Sequence, residues 1–297
     1  FTNMKTTFLS LITFTILMVG CNSNSNTNST TIKTEEKMNE VNLKSLAESA
    51  MTAFFGTYDE AEVRKLFKED YIQHNPYVPT GIEPVVGLLP TLKENGMSYI
   101  THRIIQDGDY VVLHNSFSNA HAFGVGADIV TFDMWRMEDG KVAEHWDAVT
   151  PVVTETVSGR SQTDGPTEII DLEKTEENKA LVKEMVNKVF IGGEADKITD
   201  YISTEQYDQH NPQVGDGLSG LTAAIEYLTT QNNMFKYFKV HKVLGEGNFV
   251  LVQSEGEWNN KPSVFYDLWR VENGKVVEHW DVVNEIPEKM AHENGMF

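Results

Sequence analysis

Two short motifs pair histidine with groups that can move protons, and the chain carries each motif twice. His-Asn-Pro stands at residues 74–76 and 210–212, and His-Trp-Asp stands at residues 145–147 and 279–281. A carboxylate withdrawn from water has a raised pKa and can act as a general base, whereas a histidine titrates near neutrality and can act as an acid. The motifs therefore indicate either two proton-transfer pockets or structural parts that the fold needs in each copy.

These motifs belong to a tandem duplication of one domain. Most of residues 71–76 return 136 positions later, and residues 132–149 return 134 positions later with 12 of 18 identical. The segment around His102 returns 139 positions later around His241. The changing offsets indicate small loop insertions between fixed elements, and the period is far longer than that of a solenoid.

Each copy predicts helices first and strands afterwards. A first helix with apolar residues at three-to-four spacing precedes a short second helix, the His-Asn-Pro turn and a third helix, around 81–95 and 218–232. In the first copy, two hairpins follow around the glycine turns at 107–108 and 138–140. This order predicts an α+β domain with about three N-terminal helices packed on one face of a curved antiparallel sheet. We expect Pro90 to kink or shorten the third helix.

The predicted boundaries follow from the repeat and from composition. The first domain covers residues 39–152 and the second covers residues 174–297. Residues 153–173 are rich in Gly, Pro, Thr and Ser and are predicted to be a linker.

The N-terminal segment predicts export and lipid attachment. Residues 8–19 form an apolar run that is too short to span a bilayer comfortably. The motif at 18–21, Met-Val-Gly-Cys, resembles the bacterial lipobox, with Met where Leu is usual. We expect a signal peptide over residues 1–20, lipidation of Cys21, a disordered polar tether over 21–38 and a location in the bacterial cell envelope. An ordinary signal peptide with a chance cysteine is the alternative.

Composition and missing motifs exclude several kinds of partner and reaction. The net charge of −20 argues against a nucleic-acid partner, because binding a phosphate backbone requires Lys and Arg. The chain has no Gly-rich phosphate loop, no Gly-x-Ser-x-Gly elbow and no cysteine besides Cys21, so we expect neither covalent catalysis nor a cofactor. Histidines and a carboxylate could together bind iron or zinc, but no tight ligand spacing supports a metal.

With these motifs and this element order, the sequence resembles the SnoaL-like branch of the NTF2-like superfamily. The resemblance covers nearly the whole chain after residue 40, twice. The phrases YIQHNP and GKVVEHWDVV and the tail IPEKMAHENGMF are similar to bacterial SnoaL-like proteins of the aldol-condensation type. The resemblance implies two cone-shaped barrels, each around a deep apolar pocket that takes a small apolar ligand. Members usually pair through the sheet face, so we expect an intrachain pseudo-dimer or a homodimer.

The resemblance also implies site residues. The polyketide cyclases of the family use an Asp on the late strands as acid and base. By position, Asp147 and Asp281 match it best, and His74 and His210 are the candidate catalytic partners. The candidates for substrate binding are Asn75, Asn211, Asp133, Asp267, His102, His241, Trp146 and Trp280.

Strand alternation leaves structural alternatives open. His145 and Asp147 share one face of their strand and Trp146 lies on the other, but the period does not say which face lines the pocket. The face of His145 and Asp147 is alternatively a dimerisation surface. The tryptophans are alternatively core residues, and His-Asn-Pro is alternatively a purely structural turn.

Two classes of function fit the sequence. One is a cofactor-independent enzyme of the aldol, cyclase or isomerase type that acts on a small apolar carbonyl compound. The other is a membrane-anchored protein that captures an apolar ligand, or docks a partner, without catalysis.

Overall fold

A computed structural model describes residues 42–231 and 235–297, which belong to one compact unit. The expected signal peptide, lipidation at Cys21 and polar tether lie outside the described residues. Within the part that is described, no helix is both long enough and apolar enough to cross a membrane.

The structure contains the duplicated α+β unit, which we call repeat 1 (residues 42–151) and repeat 2 (residues 172–285). Repeat 1 comprises α1 (Leu43–Met51), α2 (Glu60–Leu66), β1 (Phe67–Gln73), α3 (Ile82–Glu94), β2 (Ser98–Asp107), β3 (Tyr110–Ser118), β4 (Ile129–Glu138) and β5 (Lys141–Pro151). Repeat 2 comprises α4 (Thr175–Met185), α5 (Ile198–Tyr201), β6 (Asp208–Gln209), α6 (Gly217–Thr230), β7 (Lys236–Glu246), β8 (Phe249–Trp258), β9 (Lys261–Glu272) and β10 (Lys275–Glu285). The first helix of each repeat continues as a π-helical turn, Thr52–Gly56 and Val186–Ile191. Short 3₁₀ segments lie at His121–Phe123, Leu172–Lys174 and Ala195–Lys197.

Both sheets have five strands and the same topology. Their orders are β1-β5-β4-β3-β2 and β6-β10-β9-β8-β7. The four long strands of each repeat form the expected antiparallel meander, whereas β1 and β6 pair in parallel with β5 and β10. The sheets are therefore mixed rather than wholly antiparallel. His-Asn-Pro follows a strand and does not join two helices directly.

Local sequence explains the helix limits. Asn42 caps α1 by accepting a hydrogen bond from the backbone of Ser45, and Asp59 caps α2 in the same way through Glu62. Helix α3 runs through Pro90, which is exposed, and ends at Glu94. Pro90 therefore does not end the helix, and α3 is 13 residues long against 14 for α6, which has no proline.

Three apolar clusters hold the unit together. One lies between the helices and sheet of repeat 1, and another lies between the helices and sheet of repeat 2. The third contains side chains from both sheets, including Met134 and Trp146 of repeat 1 and Leu268 and Trp280 of repeat 2. The sheet faces turned away from the helices therefore pack on each other. Full burial of such side chains stabilises the fold by about 1.5–3 kcal/mol each.

Two segments without helix or strand cross between the repeats, and we call them the first strap (residues 152–163) and the second strap (residues 286–297). The first strap follows β5, yet Val157 donates its backbone N–H to Pro212 of repeat 2 at 3.0 Å. The second strap follows β10, yet Ala291 donates its backbone N–H to Pro76 of repeat 1 at 2.8 Å. Each strap thus covers the His-Asn-Pro turn of the other repeat, and part of the expected linker is hydrogen-bonded in place.

Candidate active site

The sheet face under the helices lines an apolar cavity in each repeat. In repeat 1 this face contributes Asp133, His145 and Asp147, among walls that are mostly aromatic and aliphatic. In repeat 2 the cavity is lined by His279 and Asp281. The strand face that carries the Asp of His-Trp-Asp therefore lines the cavity. The period-two pattern alone did not say which face does so.

A chain of hydrogen bonds runs through the histidine of His-Trp-Asp. In repeat 1, His145 Nδ1 lies 2.9 Å from Gln73 Oε1, and His145 Nε2 lies 3.0 Å from Asp133 Oδ1. In repeat 2 the same distances are 3.1 and 3.0 Å, between His279 and its partners Gln209 and Asp267.

The glutamine determines which histidine nitrogen carries a proton. Gln209 Oε1 also accepts the backbone N–H of Asn211 at 2.9 Å, so this atom is the carbonyl oxygen and His279 Nδ1 must donate to it. The 3.0 Å contact from His279 Nε2 to Asp267 Oδ1 then needs one further proton, because two lone pairs would repel each other at that distance. His279 is thus held between the amide oxygen of Gln209 and a carboxylate oxygen of Asp267.

The asparagine of His-Asn-Pro holds the aspartate of His-Trp-Asp. Asn75 Nδ2 donates to both carboxylate oxygens of Asp147, at 3.0 and 2.8 Å, while its Oδ1 accepts the backbone N–H of Tyr77. Asn211 and Asp281 form the same pair at the same distances. The turn therefore sets the position of the carboxylate, and the asparagine amide is already engaged.

Burial makes these carboxylates stronger bases than ordinary ones. Burial raises the pKa of Asp281 and the nearby Asp267 raises it further, against the lowering effects of His279 and Asn211. The pKa of Asp147 is raised for the same reasons. Burial alone would lower the pKa of His145, but its hydrogen bond to Asp133 and the surrounding negative charge raise it.

Four of the expected site residues lie on the opposite side of the sheet. His74 stacks on Trp146 with ring centroids 4.5 Å apart, and its Nε2 lies 2.8 Å from Glu144 Oε1. His210 stacks on Trp280 at the same distance and contacts Glu278. These residues do not line either cavity. Trp146 and Glu144 alternate along β5 with the side chains that face the cavity, so they lie on the other side of the sheet. His74 faces the second strap, where its Nδ1 lies 2.9 Å from the Gly295 carbonyl oxygen.

His102 and His241 also lie away from the cavities. His102 Nε2 contacts Ser116 Oγ at 2.8 Å, and His241 Nε2 contacts Glu255 at 2.9 Å. His241 also stacks on Phe297 of the second strap. Both histidines are therefore held by local partners on the strands next to them.

Three further residues of repeat 2 belong to the site although sequence reasoning did not select them: His279, Gln209 and Tyr237. The Tyr237 hydroxyl contacts both oxygens of Asp267, at 3.2 and 3.1 Å. The repeated Gln before His-Asn-Pro and the shared strand face of His279 and Asp281 were the available signals for the first two. Nothing in the strand pattern pointed to Tyr237.

The same groups offer a donor set that could hold a metal. One ligand atom from each of Asp267, His279 and Asp281 lies within 4.8 Å of the others, and repeat 1 has the equivalent group. One imidazole and two carboxylates suit several divalent metals. However, the nitrogen that would coordinate, His279 Nε2, is already hydrogen-bonded to Asp267.

Comparisons with known proteins identify the family. A family model for the SnoaL-like domain matches the chain twice, over residues 49–145 and 182–279. Among curated proteins no match is found.

Several solved structures are similar at low identity. TsrD from Streptomyces laurentii is 21% identical over 37% of this chain and 90% of its own length, with a TM-score of 0.32. IdmH from Streptomyces antibioticus, a candidate polyketide cyclase, is 20% identical over 36% of this chain and 91% of its own, with a TM-score of 0.31. A candidate ketosteroid isomerase from Kribbella flavida is 16% identical over 39% and 83%, with a TM-score of 0.32. The two matches to the family model cover more than half of the sequence, so the chain belongs to the SnoaL-like family and carries its NTF2-like domain twice in tandem.

Proposed function

We propose that this protein is a cofactor-independent acid–base catalyst of the aldol, cyclase or isomerase type, acting on a small apolar carbonyl compound. The observation that carries the proposal is the position of the Asp281 carboxylate. It lies in the wall of an apolar cavity and belongs to the same group of donor atoms as His279 and Asp267. A base and a proton donor therefore meet where an uncharged ligand fits.

Asp281 is the proposed base. It takes a proton from the carbon beside the substrate carbonyl, and its raised pKa favours that transfer more than an ordinary exposed carboxylate would. Asn211 holds the carboxylate in one orientation, so little reorganisation is needed. Asp147 is the equivalent group in repeat 1.

The His279–Asp267 pair is the proposed acid. We assign it a proton between His279 Nε2 and Asp267 Oδ1, which passes to the developing oxyanion or alkoxide of the substrate as the contact between these two atoms opens. Gln209 keeps the His279 Nδ1 proton in place throughout. In an isomerisation, Asp281 returns its proton to carbon and the substrate oxygen returns its proton to the His279–Asp267 pair. After an aldol closure, Asp281 releases its proton to solvent and the pair regains one from solvent, so both groups end in their starting forms.

The N-terminal motif supports a location. We propose that Cys21 carries a lipid and that the domains face the outside of the cytoplasm, in the bacterial cell envelope. The packed sheet faces support an intrachain pair of domains as the working unit, and a homodimer would need a further surface. The non-catalytic alternative is a membrane-anchored binding or docking protein with the same cavity.

The proposal is tested by α-proton exchange of an aryl ketone, 1-tetralone, in D₂O, followed by NMR. We expect the wild-type chain to exchange the protons faster than buffer, and Asp147→Asn with Asp281→Asn to lose about 10²–10⁴-fold of that rate. Asp196→Asn removes an exposed carboxylate and is the matched control. Exchange that survives the double substitution contradicts the acid–base assignment. Ketone binding without exchange by the wild type favours the non-catalytic alternative.

A further inference from the structure

The two cavities occupy equivalent places but differ about tenfold in size. The cavity of repeat 1 has a volume of about 60 Å³, whereas that of repeat 2 has a volume of about 570 Å³. Cavities that hold drug-sized ligands are typically about 300–1,000 Å³. Only the cavity of repeat 2 falls in that range.

The strand registers identify one residue that fills repeat 1. In repeat 1, Phe117 pairs with Tyr99 on one side and Ile129 on the other, and its ring projects into the cavity. In repeat 2 the same ladder position is Gly256, which pairs with Tyr237 and Ser263. Gly256 therefore contributes no ring to the wall of repeat 2, and the ring of Phe265 lies 2.9 Å from where its Cβ would be.

A helix residue and a loop also make the cavity of repeat 1 smaller than that of repeat 2. Counting from Gly81, which precedes α3, and from Gly217, which begins α6, Leu88 of repeat 1 corresponds to Ala224 of repeat 2, and both line their cavities. The connection from β3 to β4 carries Phe123, which also lines the cavity of repeat 1. The equivalent connection in repeat 2 is a tight turn at 259–260. It has no equivalent of Phe123.

A tyrosine takes different positions in the two repeats. Tyr99 packs beside Phe117, with ring centroids 6.2 Å apart, and its hydroxyl contacts Thr52. Its counterpart Tyr237 lines the cavity of repeat 2 and reaches Asp267. Burial raises the pKa of Tyr237 well above its usual value, so it remains a neutral hydroxyl donor.

Asp133 and its counterpart Asp267 have different hydrogen-bond partners. Asp133 of repeat 1 accepts hydrogen bonds from Asn115 and Thr131. The corresponding residues of repeat 2 are Ser254 and Phe265, and the Ser254 hydroxyl has no partner among the described residues. In repeat 1 the cavity is small and Asp133 is hydrogen-bonded to neighbouring side chains. In repeat 2 the cavity is large and Tyr237, which contacts Asp267, lines it.

We propose that the repeats have divided their roles: repeat 2 binds the ligand, and repeat 1 retains the motifs as structure and serves as the packing partner. The inference rests on the proposed function for the chemistry of the ligand. It adds that one chain holds one ligand, that the site is that of Asp281 and Tyr237, and that Ala224 sets its size.

Calorimetric titration of the protein with 1-tetralone tests the division of roles. We expect one ketone per chain. Ala224→Trp fills the cavity of repeat 2 and should weaken binding roughly tenfold or more, with Ala224→Leu, which introduces the residue of repeat 1, weakening it less. Leu88→Ala at the matched position of repeat 1 should leave the affinity unchanged. Gly256→Phe is not suitable, because a side chain there would meet the Lys236 carbonyl at 1.9 Å.

The outcomes separate this inference from the proposed function. Two ketones per chain, no binding at all, or full affinity in both Ala224 variants would contradict the division of roles. Binding of one ketone without α-proton exchange would contradict the catalytic proposal alone. Thermal melting of each variant shows whether lost binding reflects a filled cavity or an unfolded chain.

Discussion

At the scale of single residues, each side chain of His-Trp-Asp contacts a particular side chain in or just before His-Asn-Pro. The Gln before His-Asn-Pro holds the His of His-Trp-Asp, and the Asn holds the Asp. On the other side of the sheet, the His of the first motif stacks on the Trp of the second. The duplication of both motifs is thus explained by a structural pairing, and the same pairing aims an aspartate and a histidine into the cavity.

The raised pKa of Asp281 predicts an unusual pH dependence of stability. A carboxyl whose pKa is raised above the ordinary 3.8 by folding costs no stability below that value, and its cost grows as pH rises through the folded pKa. Asp281→Asn removes this cost and keeps an oxygen and a similar shape. We therefore expect the variant to melt at a higher temperature than the wild type at neutral pH. The gain should vanish below about pH 4, where Asp281 is protonated in both states.

Melting curves at several pH values check this prediction. Asp196→Asn, at an exposed position, is the control and should show no such pH-dependent gain. A variant that melts below the wild type at neutral pH would indicate that the Asn211 contact outweighs the burial of charge. A gain that persists in acid would exclude ionisation of Asp281 as its cause.

At the scale of elements, the long strands were predictable and the short parallel strands were not. The Asp-Gly and Glu-Asp-Gly turns predict strands over 99–106, 109–121, 128–137 and 142–150, which lie within three residues of the observed limits of β2 to β5. Strand β1 contains a run of charged residues and β6 has only two residues, and both pair with a strand about 70 positions away. Local periodicity carries no signal for such a pairing.

The same limit explains which site residues the sequence could indicate. The position of Asp281 on a late strand follows from the resemblance, and alternation puts His279 beside it. Whether His210 or His279 faces the cavity depends on the orientation of the His-Asn-Pro turn after β6. That orientation is determined by the pairing of β6 with β10. Tyr237 pairs with Gly256 across the strands, and its place near Asp267 follows from a register that the sequence pattern does not reveal.

At the scale of the whole molecule, the two repeats stabilise each other. Arg103 of repeat 1 lies over the Trp280 ring, and Lys242 of repeat 2 lies over the Trp146 ring, each at 4.2 Å. The straps add hydrogen bonds from one repeat to the histidine of the other, through Ser161 to His210 in one direction. Repeat 1 is therefore still required although its cavity is small, because it supplies part of this shared core.

The second strap gives a stability prediction for this arrangement. Met296 is only 4% exposed, and its carbonyl accepts a hydrogen bond from Gln253 at 3.1 Å. Met296→Ala should lower the free energy of unfolding by about 2–5 kcal/mol, although the residue lies in no helix or strand. Glu293→Ala, in the same strap but exposed, should change it by less than about 0.5 kcal/mol. Denaturant titration measures both, and equal values would mean that the strap is not part of the folded core.

The α-proton exchange rate of Asp281→Asn alone, compared with that of the double variant Asp147→Asn with Asp281→Asn, tests the central claim most directly. If repeat 2 contains the proton-transfer site, the single substitution should remove as much of the wild-type rate as the double one. A single variant that keeps half or more of the wild-type rate would contradict the account.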